Sequence, residues 1–135
     1  MSEIEKDHVA VRDMAWRIHD ELSAERATAE DLAELLEAFR DRIEAHFGLE
    51  ERRWSGSQDS IRDRTTENWV RALVHEHRDI ERRIGEILSR LNAEKEARRT
   101  PSAPVVSAIR RLVDDLCTHE LSETKLFQRL VFEGA

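Results

Sequence analysis

Apolar residues recur in alternating steps of four and three along four stretches of the chain. The first runs Ile4, His8, Val11, Ala15, Ile18, Leu22, and the second Leu32, Leu36, Phe39, Ile43, His46, Glu50, Trp54. The third is Val70, Leu73, His77, Ile80, Ile84, Ile87, Leu91, and the fourth Val105, Ile109, Leu112, Leu116, His119, Glu123, Leu126, Leu130. Such steps place side chains on one face of a helix. The chain is therefore predicted to be all-α, with four amphipathic helices whose narrow stripes share one core. Between the stripes lie mostly Glu, Asp, Arg and Lys, the composition of solvated faces; the run from Glu94 to Arg99 is one of these.

The predicted boundaries have local causes. Thr28 with Asp31 three residues on is a capping pair before helix two, and Thr100 followed by Pro101 suits the cap and first position of helix four. Residues 55–68 form the longest expected connection, with an earlier start of helix three within 59–64 as the alternative. Short links favour an antiparallel up-down-up-down four-helix bundle, each helix ~20 residues and ~30 Å long. The two halves also repeat. Placing His8 on His77 matches Val11, Ala15, Ile18 and Leu22 with Ile80, Ile84, Ile87 and Leu91. Placing His46 on His119 matches Glu50 with Glu123 and Trp54 with Phe127. The bundle is thus predicted to be two repeated helical hairpins about a pseudo-two-fold axis.

Composition narrows the function classes. The 135 residues are read as one domain, 1–135, and 38% charged residues with 4 Gly and 2 Pro argue against a strand-rich fold. With 22 Lys and Arg against 29 Asp and Glu, and no basic block, nucleic acid is not expected as a partner. No stretch approaches the ~20 apolar residues of a membrane span, and the start MSEIEKDH lacks a signal-peptide pattern. A cytoplasmic location is expected. The single cysteine, Cys117, forms neither an internal disulfide nor a Cys-x-x-Cys pair.

Six polar residues stand where the stripes call for Leu or Ile: His8, His46, Glu50, His77, His119 and Glu123. Buried carboxylates and imidazoles need partners, since an ionised carboxylate in an apolar interior costs several kcal/mol even after relaxation. A metal ion removes that difficulty. In each half a His and a Glu are four residues apart, His46 to Glu50 and His119 to Glu123, so both side chains lie on one face a turn apart. The lone His8 and His77 approach from the partner helices. Four imidazoles and two carboxylates exceed a tetrahedral zinc site and suit two ions, two His on each, with the carboxylates bridging. Mixed nitrogen and oxygen donors favour iron first and manganese second, with about two further positions per ion for an oxo or hydroxo bridge, water, dioxygen or peroxide.

With these residues in hand the chain resembles the hemerythrin-like, or HHE cation-binding, domains. The likeness rests on Lys6-Asp7-His8, His46-x-x-x-Glu50-Glu51, Glu76-His77-x-x-Ile80 and His119-x-x-x-Glu123, and spans nearly the whole chain. It implies a four-helix bundle around a non-haem di-iron centre held by His8, His46, Glu50, His77, His119 and Glu123. One departure bears on function. Oxygen-carrying members have a fifth histidine one turn before His77, where this chain has Leu73. The less crowded ion favours chemistry with hydrogen peroxide, dioxygen or nitric oxide over simple oxygen carriage.

The remaining candidates are set aside. His19 is read as a rim histidine and His75 as exposed. Trp54 and Phe127 are expected to close one end of the metal chamber, and Trp16 and Trp69 to be half-buried surface aromatics or to mark a dimer surface. Glu51 and Glu76 adjoin ligands and are read as exposed carboxylates, with orientation of an imidazole as the alternative. Cys117 is given no catalytic role. The function expected is a di-iron protein that binds or reacts with small oxidants, catalase-like or peroxidase-like if catalytic, with no catalytic side chain beyond the metal centre. The alternatives are a non-catalytic module that stores iron or senses oxygen or nitric oxide, and a purely structural metal. A monomer or weak homodimer is expected.

Overall fold

The computed structural model of the chain describes residues 3–24, 27–56 and 63–133. Four helices make up almost all of them: α1 Glu3–Ser23, α2 Ala29–Gly56, α3 Arg64–Glu94 and α4 Ala103–Glu133. No strand occurs among the described residues. The helices exceed the predicted length, with 28 residues in α2 and 31 in both α3 and α4. At 1.5 Å per residue the last two span about 46 Å.

Most stripe positions are buried as predicted, with His8, Val70 and Leu130 half-buried. Ile18, Leu36, Ile43, Leu73, Ile84, Leu91, Ile109 and Leu116 are all inaccessible or nearly so, while the side chain of Ile4 lies outside the described residues. Each such side chain contributes about 1.5–3 kcal/mol of apolar burial. The buried face is wider than the stripes. Ala33, Phe47, Leu88 and Val113 are buried too, because a bundle helix must cover two neighbours rather than one. The core falls into two apolar clusters, a large one running from Val11 to Leu116 and a small one of Trp54, Leu73 and Leu126. Glu50 in α2, His77 in α3, and His119 and Glu123 in α4 fall between these clusters in sequence, so a polar layer separates them.

Helix ends follow from their caps. Thr28 Oγ1 accepts the Asp31 backbone N–H at 3.0 Å, as the capping pair predicts. The start of α4 differs from expectation. Ser102, not Thr100, is the capping residue: its carbonyl accepts the Val106 N–H, and its own N–H and hydroxyl donate to Glu94 at 2.8 and 2.6 Å. Pro104 then sits in the first turn, where a missing N–H costs nothing. The connection before α3 is shorter than expected, because α2 runs through Gly56 and α3 begins at Arg64. Asp63 sets that start: its Oδ1 accepts the Thr66 N–H at 2.7 Å and its Oδ2 an Arg129 N–H at 2.9 Å. Arg64 is the last residue of the alternative start, 59–64, of which 59–62 lie outside the described residues.

Arg129, late in α4, thus meets the beginning of α3, whereas Glu94, late in α3, meets the beginning of α4. These pairings run α3 and α4 in opposite directions. No helix among the described residues is long and apolar enough to cross a membrane.

Candidate metal centre

The polar layer is built by one turn from each helix. The six stripe residues converge on one another: His8 from α1, His46 and Glu50 from α2, His77 from α3, and His119 and Glu123 from α4. His46, Glu50, His77, His119 and Glu123 are buried, and only His8 is partly open, its side chain 24% exposed. Every imidazole presents Nε2 to a glutamate. His8 Nε2 lies 3.1 Å from Glu50 Oε2 and 3.3 Å from Glu123 Oε2. His46 Nε2 lies 3.2 Å from Glu50 Oε1, and His77 Nε2 lies 3.3 Å from Glu123 Oε1 and 3.5 Å from Glu50 Oε1. His119 Nε2 contacts Glu123 Oε1. The donors fall into two groups, His8 with His46, Glu50 and Glu123, and His77 with His119 and the same Glu123. Each group draws its two histidines from one hairpin.

The far side of three rings explains why these contacts are unfinished. The Nδ1 of His46 meets Asp7, that of His77 meets Glu51, and that of His119 meets Glu76, all at 2.9 Å. A carboxylate only accepts, so each Nδ1 carries the hydrogen, and Nε2 of the neutral ring is a bare lone pair. That lone pair faces carboxylate oxygens, which are also lone pairs. His46 Nε2, His119 Nε2, Glu50 Oε1 and Glu123 Oε2 are accordingly buried without a hydrogen-bond partner. Positive charge must fill the gap: protons in acid, or a cation.

The electrostatics agree. Burial pushes His46 and His119 below the ordinary imidazole range, despite the carboxylates beside them. Burial acts on His8 in the same direction, but its contact with Glu50 outweighs it and raises this ring. Burial alone would raise the Glu50 carboxyl, whereas the contacts with His77 and His8 hold it down to about 2. Glu50 is therefore anionic and two of the rings favour neutrality, the protonation states in which they bind metal.

Orientation of an imidazole, the alternative reading of Glu51 and Glu76, is what the contacts show: Glu76 is exposed, as expected, and Glu51 half-buried, yet they accept from His119 and His77, and Asp7, which sequence reasoning missed, does the same for His46. Asp7 is fixed in turn by Arg42 at 2.9 Å, and Glu51 also receives Arg78. The repeat carries the missed signal, because Asp7 and Glu76 each precede the lone histidine of their half. Phe47 was missed as well. Its ring stacks on His77 with centroids 3.7 Å apart and planes 6° apart, and Trp54 covers His77 at 5.4 Å.

A cavity of about 300 Å³ reaches the centre from outside, lined by His8, Val9, Glu50, Trp54, Glu123 and Phe127 among others. Trp54 and Phe127 thus wall one end of the chamber, as expected. Leu73 is fully buried against Trp54 and Leu126, so apolar side chains pack the position one turn before His77. The residues set aside stay outside. His75 is exposed, His19 lies beside Trp16 with its side chain 43% exposed, and Trp16 is 54% exposed. Trp69 is half-buried and donates to Ser122 Oγ at 3.0 Å. Cys117 is exposed, and partial burial with the nearby Glu120 and Asp114 raises its thiol, which makes it a poor nucleophile.

A family model described as the hemerythrin HHE cation-binding domain matches residues 1–131 of the chain. No curated protein and no solved structure matches it.

Proposed function

The chain belongs to the hemerythrin HHE cation-binding domain family, and on that premise we propose that it is a non-haem di-iron protein that binds or reacts with dioxygen, hydrogen peroxide or nitric oxide. The observation that carries this reading is the set of buried, unpartnered Nε2 and carboxylate atoms aimed at one another, with the opposite edges of three rings already tied to carboxylates. Such a donor set fits transition-metal ions: four imidazoles, two carboxylates and no thiolate suit iron, with manganese second. His8 and His46 would hold one ion, His77 and His119 the other, and Glu50 and Glu123 would span both. When bound, the ions supply Lewis acidity and exchangeable electrons.

The protein supplies the rest. Asp7, Glu51 and Glu76 fix the ring orientation and raise the basicity of the imidazoles they hold. Phe47, Trp54 and Leu73 exclude water from the His77 side, which strengthens electrostatic interactions inside the layer. The cavity at His8 gives a small molecule a path to the glutamates.

The test is anaerobic loading with ferrous iron, elemental analysis, and optical spectra before and after azide and peroxide. Two ions per chain and spectral changes with both reagents are expected. No bound transition metal, or a loaded centre blind to both reagents, overturns the reading. A stoichiometric response with turnover near zero assigns the storage or sensing role instead of catalysis.

A further inference from the structure

The repeat that builds the centre is broken on one side only. Superposing the hairpins in sequence puts Phe47 of α2 at the register of Glu120 in α4, and Glu51 at that of Thr124. In the first position these residues serve His77: Phe47 covers its ring face, and Glu51 accepts its Nδ1 hydrogen. In the second they do not serve His8 in that way. The Thr124 hydroxyl donates to the Glu120 carbonyl of its own helix at 3.0 Å. Glu120, a half-buried carboxylate that faces His8 and Arg12, stands where the apolar cover would be. Among the described residues no carboxylate accepts from Nδ1 of His8. His8 is also the exposed member of the set, it lines the cavity, and α1 and α4 form the sparsest of the bundle's four seams.

Resting on the binuclear reading above, we propose that the two metal positions are unequal: the ion between His77 and His119 binds first and is retained, and the ion between His8 and His46 binds second and exchanges through the α1–α4 cavity. Donor number alone would favour the other order, since the His8 group counts four donors and the His77 group three, although Glu50 Oε1 also lies 3.5 Å from His77 Nε2. Support of the rings sets it. His77 and His119 each lean on a carboxylate, whereas of the other pair only His46 does. Loss of such a partner typically lowers metal affinity by about 10–100-fold, so the second ion should bind at least about tenfold more weakly than the first.

The test is stepwise ferrous binding measured anaerobically by chelator competition, with ion release after dilution as a second readout. Wild type should bind in two steps and lose one ion faster than the other. Thr124→Glu, which supplies the missing carboxylate, should strengthen the weaker step by about 10–100-fold and slow the faster release. Glu51→Thr should weaken the tighter step by a similar factor and merge the two, and Glu51→Asp should largely restore it. Two ions taken up in a single step, or Thr124→Glu strengthening the tighter step, overturns this inference while leaving the binuclear centre intact. Uptake of fewer than two ions overturns the binuclear reading itself.

Discussion

Replacing Glu123 by leucine should change the sign of its effect on stability when metal is added. The side chain is 2% exposed and lies against His8, His77 and His119; its Oε2 has no hydrogen bond, although His8 Nε2 is 3.3 Å away. With chelator present no cation offsets its charge, and His119 turns an unpartnered Nε2 toward it. Exchanging a buried charge for a well-packed apolar side chain of similar volume is then neutral or stabilising by about 1–4 kcal/mol. For a chain of this length that is a rise of up to roughly 16 °C in melting temperature. With metal the balance reverses. Free metal at a hundred times its dissociation constant stabilises the native wild type by about 2.7 kcal/mol per site, or roughly 10 °C. The variant has lost a ligand common to both positions and should gain little. Thermal melts of both proteins, with chelator and with ferrous iron, check this. If metal-free Glu123→Leu melts well below metal-free wild type and still gains the full shift on loading, Glu123 is a structural hydrogen-bonding partner and the lone-pair argument is wrong.

Three other expectations follow from single contacts. Phe47→Leu keeps most of the buried volume but removes the stacking on His77, so it should cost about 0.5–1.5 kcal/mol in urea denaturation and alter the optical spectrum of the loaded centre; an unchanged spectrum would show that the ring does not position His77. Leu73→Ala opens a hole beside Trp54 and Leu126 and should destabilise by about 2–5 kcal/mol, whereas a loss below 1 kcal/mol would mean that the small cluster collapses freely. The Asp63 carboxyl is held below its ordinary range chiefly by the Thr66 backbone N–H, with the Thr66 and Arg129 side chains adding to it. A depressed carboxyl stabilises the fold above its unfolded value of about 3.9 and loses that contribution as pH falls through the folded value. The melting advantage of wild type over Asp63→Ala should therefore be constant from pH 5 to 8 and shrink below about pH 4; an advantage independent of pH would exclude the ionised cap as its source.

What could be read from the sequence is what periodicity controls. A stripe position is buried because helix geometry leaves it no alternative, so polar residues at His8, His46, Glu50, His77, His119 and Glu123 announced a polar layer before any coordinates, and the repeat paired them. Residues that act between helices were not readable in the same way. Asp7, Glu51 and Glu76 flank the stripes, where a carboxylate bonded to a neighbour's imidazole and one bonded to water have the same local pattern. Phe47 was hidden because a heptad stripe omits the second edge of a helix that packs on two neighbours. The start of α4 was misplaced because Ser102 is fixed by Glu94 from another helix, a tertiary contact that outweighs the Thr-Pro signal two residues earlier. The same limit makes the asymmetry of the centre informative. The apolar stripes of the two hairpins match in register, so nothing in the bundle's packing requires Thr124 to differ from Glu51, or Glu120 from Phe47. Those two differences fall beside His8, the histidine that lines the cavity, which is where an ion or a small ligand has to pass.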